Sequence, residues 1–154
     1  MKSSKQQKKR TATGQQIRHM LYERRDLLAL MLQVSDLTHH GKDAPDATLL
    51  QEFCELVVDY IAAGHFGLYQ RIAEGTERRS RVVEIAGKLY PKIEKTTRIA
   101  LDFSEKYKID GKHDRPERFQ RDLSELGEML ATRIELEDQL IAAMLNGDQS
   151  ELAH

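Results

Sequence analysis

Apolar residues recur every three or four positions through most of this chain, the spacing that keeps them on one face of a helix. Ile17, Met20, Leu21, Leu27, Leu28 and Met31 predict a first helix over residues 15–38. Gly41 and Pro45 interrupt the pattern, so residues 39–46 read as a loop. Cys54, Val58, Ile61, Leu68 and Ile72 form the stripe of a second helix over 47–74, and Gly75 is its C-terminal punctuation. A third helical region over 77–107 contains Pro91, whose missing N–H predicts a kink or a split there. After a loop at 110–114, Pro116 opens a fourth helix ending near Leu145, with Asn146 and Gly147 closing it. Four amphipathic stretches joined by short loops predict an all-α, antiparallel four-helix-bundle-like single domain over residues 14–147.

Composition adds little to the fold but narrows the function. The single Cys54 leaves no internal disulfide framework and suits a reducing compartment. No apolar run exceeds six residues, as in Leu27–Leu32, far short of the roughly 20 that span a bilayer. A cytoplasmic protein without a membrane partner is expected. The net charge of −1 is unevenly spread: residues 1–10 carry +5, which leaves −6 on the remainder. Residues 1–13 therefore read as a disordered basic tail, and 148–154 as a disordered C-terminus. The acidic body suits a basic protein partner and argues against direct DNA binding.

Three ionisable residues stand on apolar stripes. At about 100° per residue, Arg24 falls between Ile17, Leu28 and Met31, and His65 lies in line with Ile61 and Leu68. Glu137 sits centrally among Phe119, Leu123, Leu126, Leu130, Ile141 and Met144. An isolated buried charge loses its hydration, so the three are expected together as a buried polar network, Glu137 accepting from Arg24 and His65. A metal centre is the sharper alternative, since His19 and Glu23 have the spacing of two ligands on one helix face. Such a centre needs several carboxylates and imidazoles converging from all the helices, and Arg24 would set a cation among them. No metal, cofactor or catalytic residue is assigned. Cys54 reads as a small core residue.

The second helix contains Phe53-Cys54, Val58-Asp59-Tyr60, Ala63-Gly64-His65-Phe66 and Tyr69-Gln70-Arg71-Ile72. This stretch closely resembles the Rsd/AlgQ family of bacterial anti-sigma factors. Leu21, Arg24, Leu27 and Leu28 agree in the first helix, Tyr90-Pro91 in the third region, and Arg133, Leu136, Glu137, Asp138 and Leu140 in the fourth. The likeness covers residues 18–145. Met20 stands where the family usually has Trp, and Gln70 replaces an acidic residue.

The resemblance implies an all-helical, non-enzymatic protein that binds region 4 of the primary sigma factor of RNA polymerase. Such binding blocks the sigma factor's promoter and core contacts and regulates transcription in stationary phase. Residues 46–74 carry a net −4, which complements a basic DNA-reading domain. Asp59, Ala63, Phe66, Tyr69, Arg133 and Asp138 are the expected partner-binding residues. The alternatives are a helical-bundle metalloprotein and a general protein-binding adaptor.

Overall fold

The computed structural model describes the backbone of residues 2–39, 47–110 and 116–152, and the side chains of residues 14–36, 48–108 and 118–145. Of the loop expected at 39–46, His39 is the last residue of the first helix and the rest lies outside the described residues, as do most of that at 110–114 and the last two residues of the chain. The elements are α1 (Lys2–His39), α2 (Ala47–Gly64), a π-turn (His65–Tyr69), α3 (Gln70–Ala73), α4 (Ser80–Asp110) and α5 (Pro116–Leu152). No strand occurs among the described residues. None of the helices described is long and apolar enough to cross a membrane.

The helices alternate in direction, which is visible in who meets whom. Gln16 on α1 approaches Gly67 while Arg24 reaches Tyr60, so α1 and α2 run oppositely. Cys54 meets Ser104 and Tyr69 meets Tyr90, so α4 runs back along α2. Thr97 pairs with Arg133 and Tyr107 with Asp122, which reverses α5 against α4. Packing is extensive between α1 and α2, α2 and α4, and α4 and α5, whereas α1 touches α5 sparingly. The bundle is thus antiparallel and more open along its α1–α5 seam. Fully buried Met20, Leu27, Leu50, Leu126, Leu130 and Leu140 fill its interior. Phe53, Phe103, Tyr107 and Phe119 close one end through edge-on and tilted ring contacts.

Several boundaries differ from expectation. The helical backbone of α1 begins at Lys2 and that of α5 runs on to Leu152, through segments expected to be disordered. Lys, Gln, Arg and Ala are good helix formers, which favours the extension of α1; Asn146, Gly147 and Asp148 in α5 are not. α4 is continuous through Pro91, not split, and Pro91 is solvent-exposed. Gly75 does punctuate, with φ of 74°. On α1 the buried stripe is Ile17, Met20, Leu27, Leu30 and Val34, while Leu21 and Leu28 are exposed. The expected face was right in kind but centred one position away.

Candidate functional site

Glu137 on α5 is fully buried, and its carboxylate is the hub of the polar interior. Arg24 donates through Nη2 to its Oε1 at 3.2 Å, and Arg133 through Nε to its Oε2 at 3.0 Å. The Tyr60 hydroxyl also donates to Oε1, and itself accepts from Arg24 Nε at 3.3 Å. Arg24 reaches the surface through Nη1, 2.8 Å from Asp138 Oδ1. Arg133 Nη1 continues the network into α4, at 3.0 Å from Thr96 Oγ1 and 2.8 Å from Thr97 Oγ1. Its guanidinium also lies near the Tyr60 and Tyr69 rings. Burial and the Glu137 charge push the Tyr60 phenol well above its ordinary pKa, so it remains an O–H donor.

This centre brings Arg24 and Glu137 together as expected but excludes His65. That side chain is exposed, and its ring packs against Phe66. Two causes act together. The buried face of α2 is centred on Phe53, Val57, Tyr60 and Gly64, one position from the stripe that had included His65. The helix then changes pitch at residue 65, where the π-turn adds a residue to one turn and cancels the uniform 100° step. Tyr60 and Arg133 occupy the place assigned to His65. Arg133 lies one turn before Glu137 on the same face, a spacing that could have revealed it.

The partner-binding set divides in the same way. Asp59 and Phe66 are exposed, the latter by 54%, and Ala63 lies between them at the wall of a groove. Tyr69 and Arg133 are buried, at 3% and 1% exposure, and so present no surface for docking. Asp138 is exposed but tied to Arg24. The groove, about 720 Å³, runs between α1 and α2, where Glu23 and His19 face Asp59, Ala62, Ala63 and Phe66. Gly67 makes it possible: a Cβ there would stand 3.3 Å from the Gln16 carbonyl oxygen, so its absence lets α1 approach the π-turn. The groove combines two carboxylates with an exposed aromatic ring, a chemistry suited to a cationic side chain with an apolar stem.

Other chemistry is less well provided for. His19 Nε2 lies 3.6 Å from Glu23 Oε1, as their spacing implied, but no third ligand joins them among the described residues. Cys54 is buried, and burial pushes its thiol up to about 11, keeping it protonated at neutral pH.

Known proteins place this architecture. The family described as regulator of RNA polymerase sigma(70) subunit, Rsd/AlgQ, matches residues 1–145. Proteins named regulator of sigma D from Shigella boydii serotype 4, Shigella dysenteriae serotype 1 and Escherichia coli O139:H28 are each 39% identical over 100 residues. The match takes in 63% of this chain and 61% of each relative, so the chain spans about three fifths of their length. No solved structure matches the chain. A family match over nearly all of the helical bundle establishes that the chain belongs to the Rsd/AlgQ family.

Proposed function

We propose that this protein is a non-catalytic, cytoplasmic regulator of transcription that binds region 4 of the primary sigma factor. In this reading it withholds that domain from promoter and core polymerase in stationary phase. The observation that carries the reading is the α1–α2 groove, where Glu23 and Asp59 flank the exposed ring of Phe66. A domain that reads DNA presents Arg and Lys for phosphate contact. An acidic groove with an aromatic edge meets those side chains by charge and by stacking on their stems. The buried centre has a separate task. It fixes how α1, α2, α4 and α5 register and so sets the width of the groove.

The test is a binding titration of the full chain against the intact primary sigma factor and its isolated region 4. Asp59→Asn is nearly isosteric at an exposed position, so the bundle should stay folded. Affinity should fall by ~1–3 kcal/mol, the range for losing one partner of a formed charged contact. Phe66→Ala should weaken binding with little change in melting temperature. Unchanged affinity in both variants would move the recognition surface away from this groove, and absence of sigma binding by the wild type would defeat the reading altogether.

A further inference from the structure

The outer face of α1 is not polar, as the solvent side of a bundle helix ordinarily is. Leu21, Tyr22, Leu28 and Leu32 crowd its middle, and Leu32 is 74% exposed. Their spacing carries the information. Arg18, Tyr22, Arg25, Ala29, Leu32 and Asp36 recur at alternating steps of four and three, the rhythm of a two-helix contact. All six are exposed. At about 100° per residue they lie opposite the buried stripe of Ile17, Met20, Leu27, Leu30 and Val34. One helix thus carries two packing faces, and only the inner one is covered.

The outer stripe is complementary to itself when reversed. Two copies laid antiparallel, about a two-fold axis midway between Arg25 and Ala29, bring Arg18 opposite the partner's Asp36. Tyr22 then meets the partner's Leu32, and Arg25 the partner's Ala29. Opposite charges face each other at both ends, and the small Ala29 leaves room for the Arg25 stem. The Arg25 guanidinium is already held at the edge, 5.0 Å from the centroid of its own Tyr22 ring and 3.4 Å from Asp26. A parallel pairing would instead set Arg18 against Arg18, Arg25 against Arg25 and Asp36 against Asp36. Charge therefore selects one orientation and rejects the other.

We propose that this face binds a second copy of the chain, α1 against α1 in antiparallel register. Leu21 and Leu28 form an apolar shoulder along the contact. Because the same patch serves on both chains, the contact closes at two copies. The stripe is under three heptads long and has an Arg near its centre, so the dimer is weak and concentration-dependent. Glu23, which lines the α1–α2 groove, is turned about 140° around the helix from the middle of the stripe. The dimer leaves that groove open and does not rest on sigma binding.

The experiment is sedimentation equilibrium of the full chain, without sigma factor, at concentrations from about 1 μM to about 1 mM. The wild type should pass from monomer to dimer across that range and stop there. Leu32→Glu changes an exposed side chain, so melting temperature should hold while the dimer weakens more than about tenfold. Arg18→Glu and Asp36→Arg should each weaken it about tenfold, and the double variant should return to within about threefold of wild type. Melting temperatures of all variants separate loss of folding from loss of pairing. A monomer at every concentration would overturn the proposal, as would a dimer indifferent to Leu32→Glu or assemblies larger than two. Failure of the folded double variant to recover would also overturn it, since Arg18 and Asp36 would then not face each other. A monomeric wild type whose sigma affinity falls on Leu32→Glu would overturn it in favour of the sigma factor as the occupant of this face.

Discussion

Gly64 on α2 stands directly against Glu137 on α5: a Cβ added at Gly64 would lie 3.0 Å from Oε2 of that carboxylate and 3.3 Å from Arg133 Nη2. The two helices approach closely enough for the hub to form because this position carries no side chain. Gly64→Ala should therefore destabilise by ~1–3 kcal/mol, the usual cost of overpacking. Gly87 on α4 is the control, being exposed with nothing within 4 Å of its added Cβ. Gly87→Ala should stabilise by about 0.5–1 kcal/mol through helix propensity. Urea unfolding of both variants checks the pair, and equal effects would show that the hub yields freely.

Glu137→Ala removes the acceptor shared by Arg24, Tyr60 and Arg133. The buried Arg133 guanidinium then loses its carboxylate and the part-buried Arg24 keeps only Asp138, and the expected loss is about 3 kcal/mol. Glu137→Gln retains an acceptor oxygen and should lose less. Chemical denaturation at neutral pH ranks the three proteins, and a Glu137→Ala variant as stable as wild type would remove the hub from the stability argument.

Acid sensitivity should be traceable to Glu77. Burial alone would raise its pKa, but hydrogen bonds from Arg79, and the charges of Arg79 and Arg71, hold it below the ordinary 4.5. A carboxylate with a depressed folded pKa contributes stability above its unfolded pKa and loses it as pH falls through the folded value. The stability gap between wild type and Glu77→Gln should thus be full at neutral pH and close below about pH 4. A gap independent of pH would locate the acid response elsewhere.

Pro91 interrupts the hydrogen bonding of a continuous α4 at an exposed position. Pro91→Ala restores an N–H and relieves the ring from the Gly87 carbonyl, so melting temperature should rise. The gain is bounded by the difference in helix propensity, about 3 kcal/mol. A fall in melting temperature would mean that α4 depends on the proline ring.

Much of this was legible in the residues. The helical period and the punctuation at Gly75 and Pro116 mark four long helices, because burial of one face imposes that period. Arg24 and Glu137 stood out as charges within apolar stripes, and burial in company is what such charges require. His65 was misassigned because a stripe read at constant pitch fails where the helix itself changes pitch. Arg133 and Tyr69 were taken for surface because a shared motif tells which residues belong together, not which way they point. The helical backbone of α1 reaches back to Lys2 through a segment with no apolar period to read.

The open seam between α1 and α5 bears on how the molecule comes together. Arg24 and Asp138, which bridge it, are separated by 114 positions in sequence, and Arg24 and Glu137 by 113. The other long-helix pairs adjoin in the chain or are separated only by the π-turn and α3, and their shorter connections close at lower entropic cost. The hairpins α1–α2 and α4–α5 can assemble first, with the charged clasp between the chain's two ends fastening last. Residues at that clasp should then change the unfolding rate far more than the folding rate, which makes the seam the place where the bundle first comes undone.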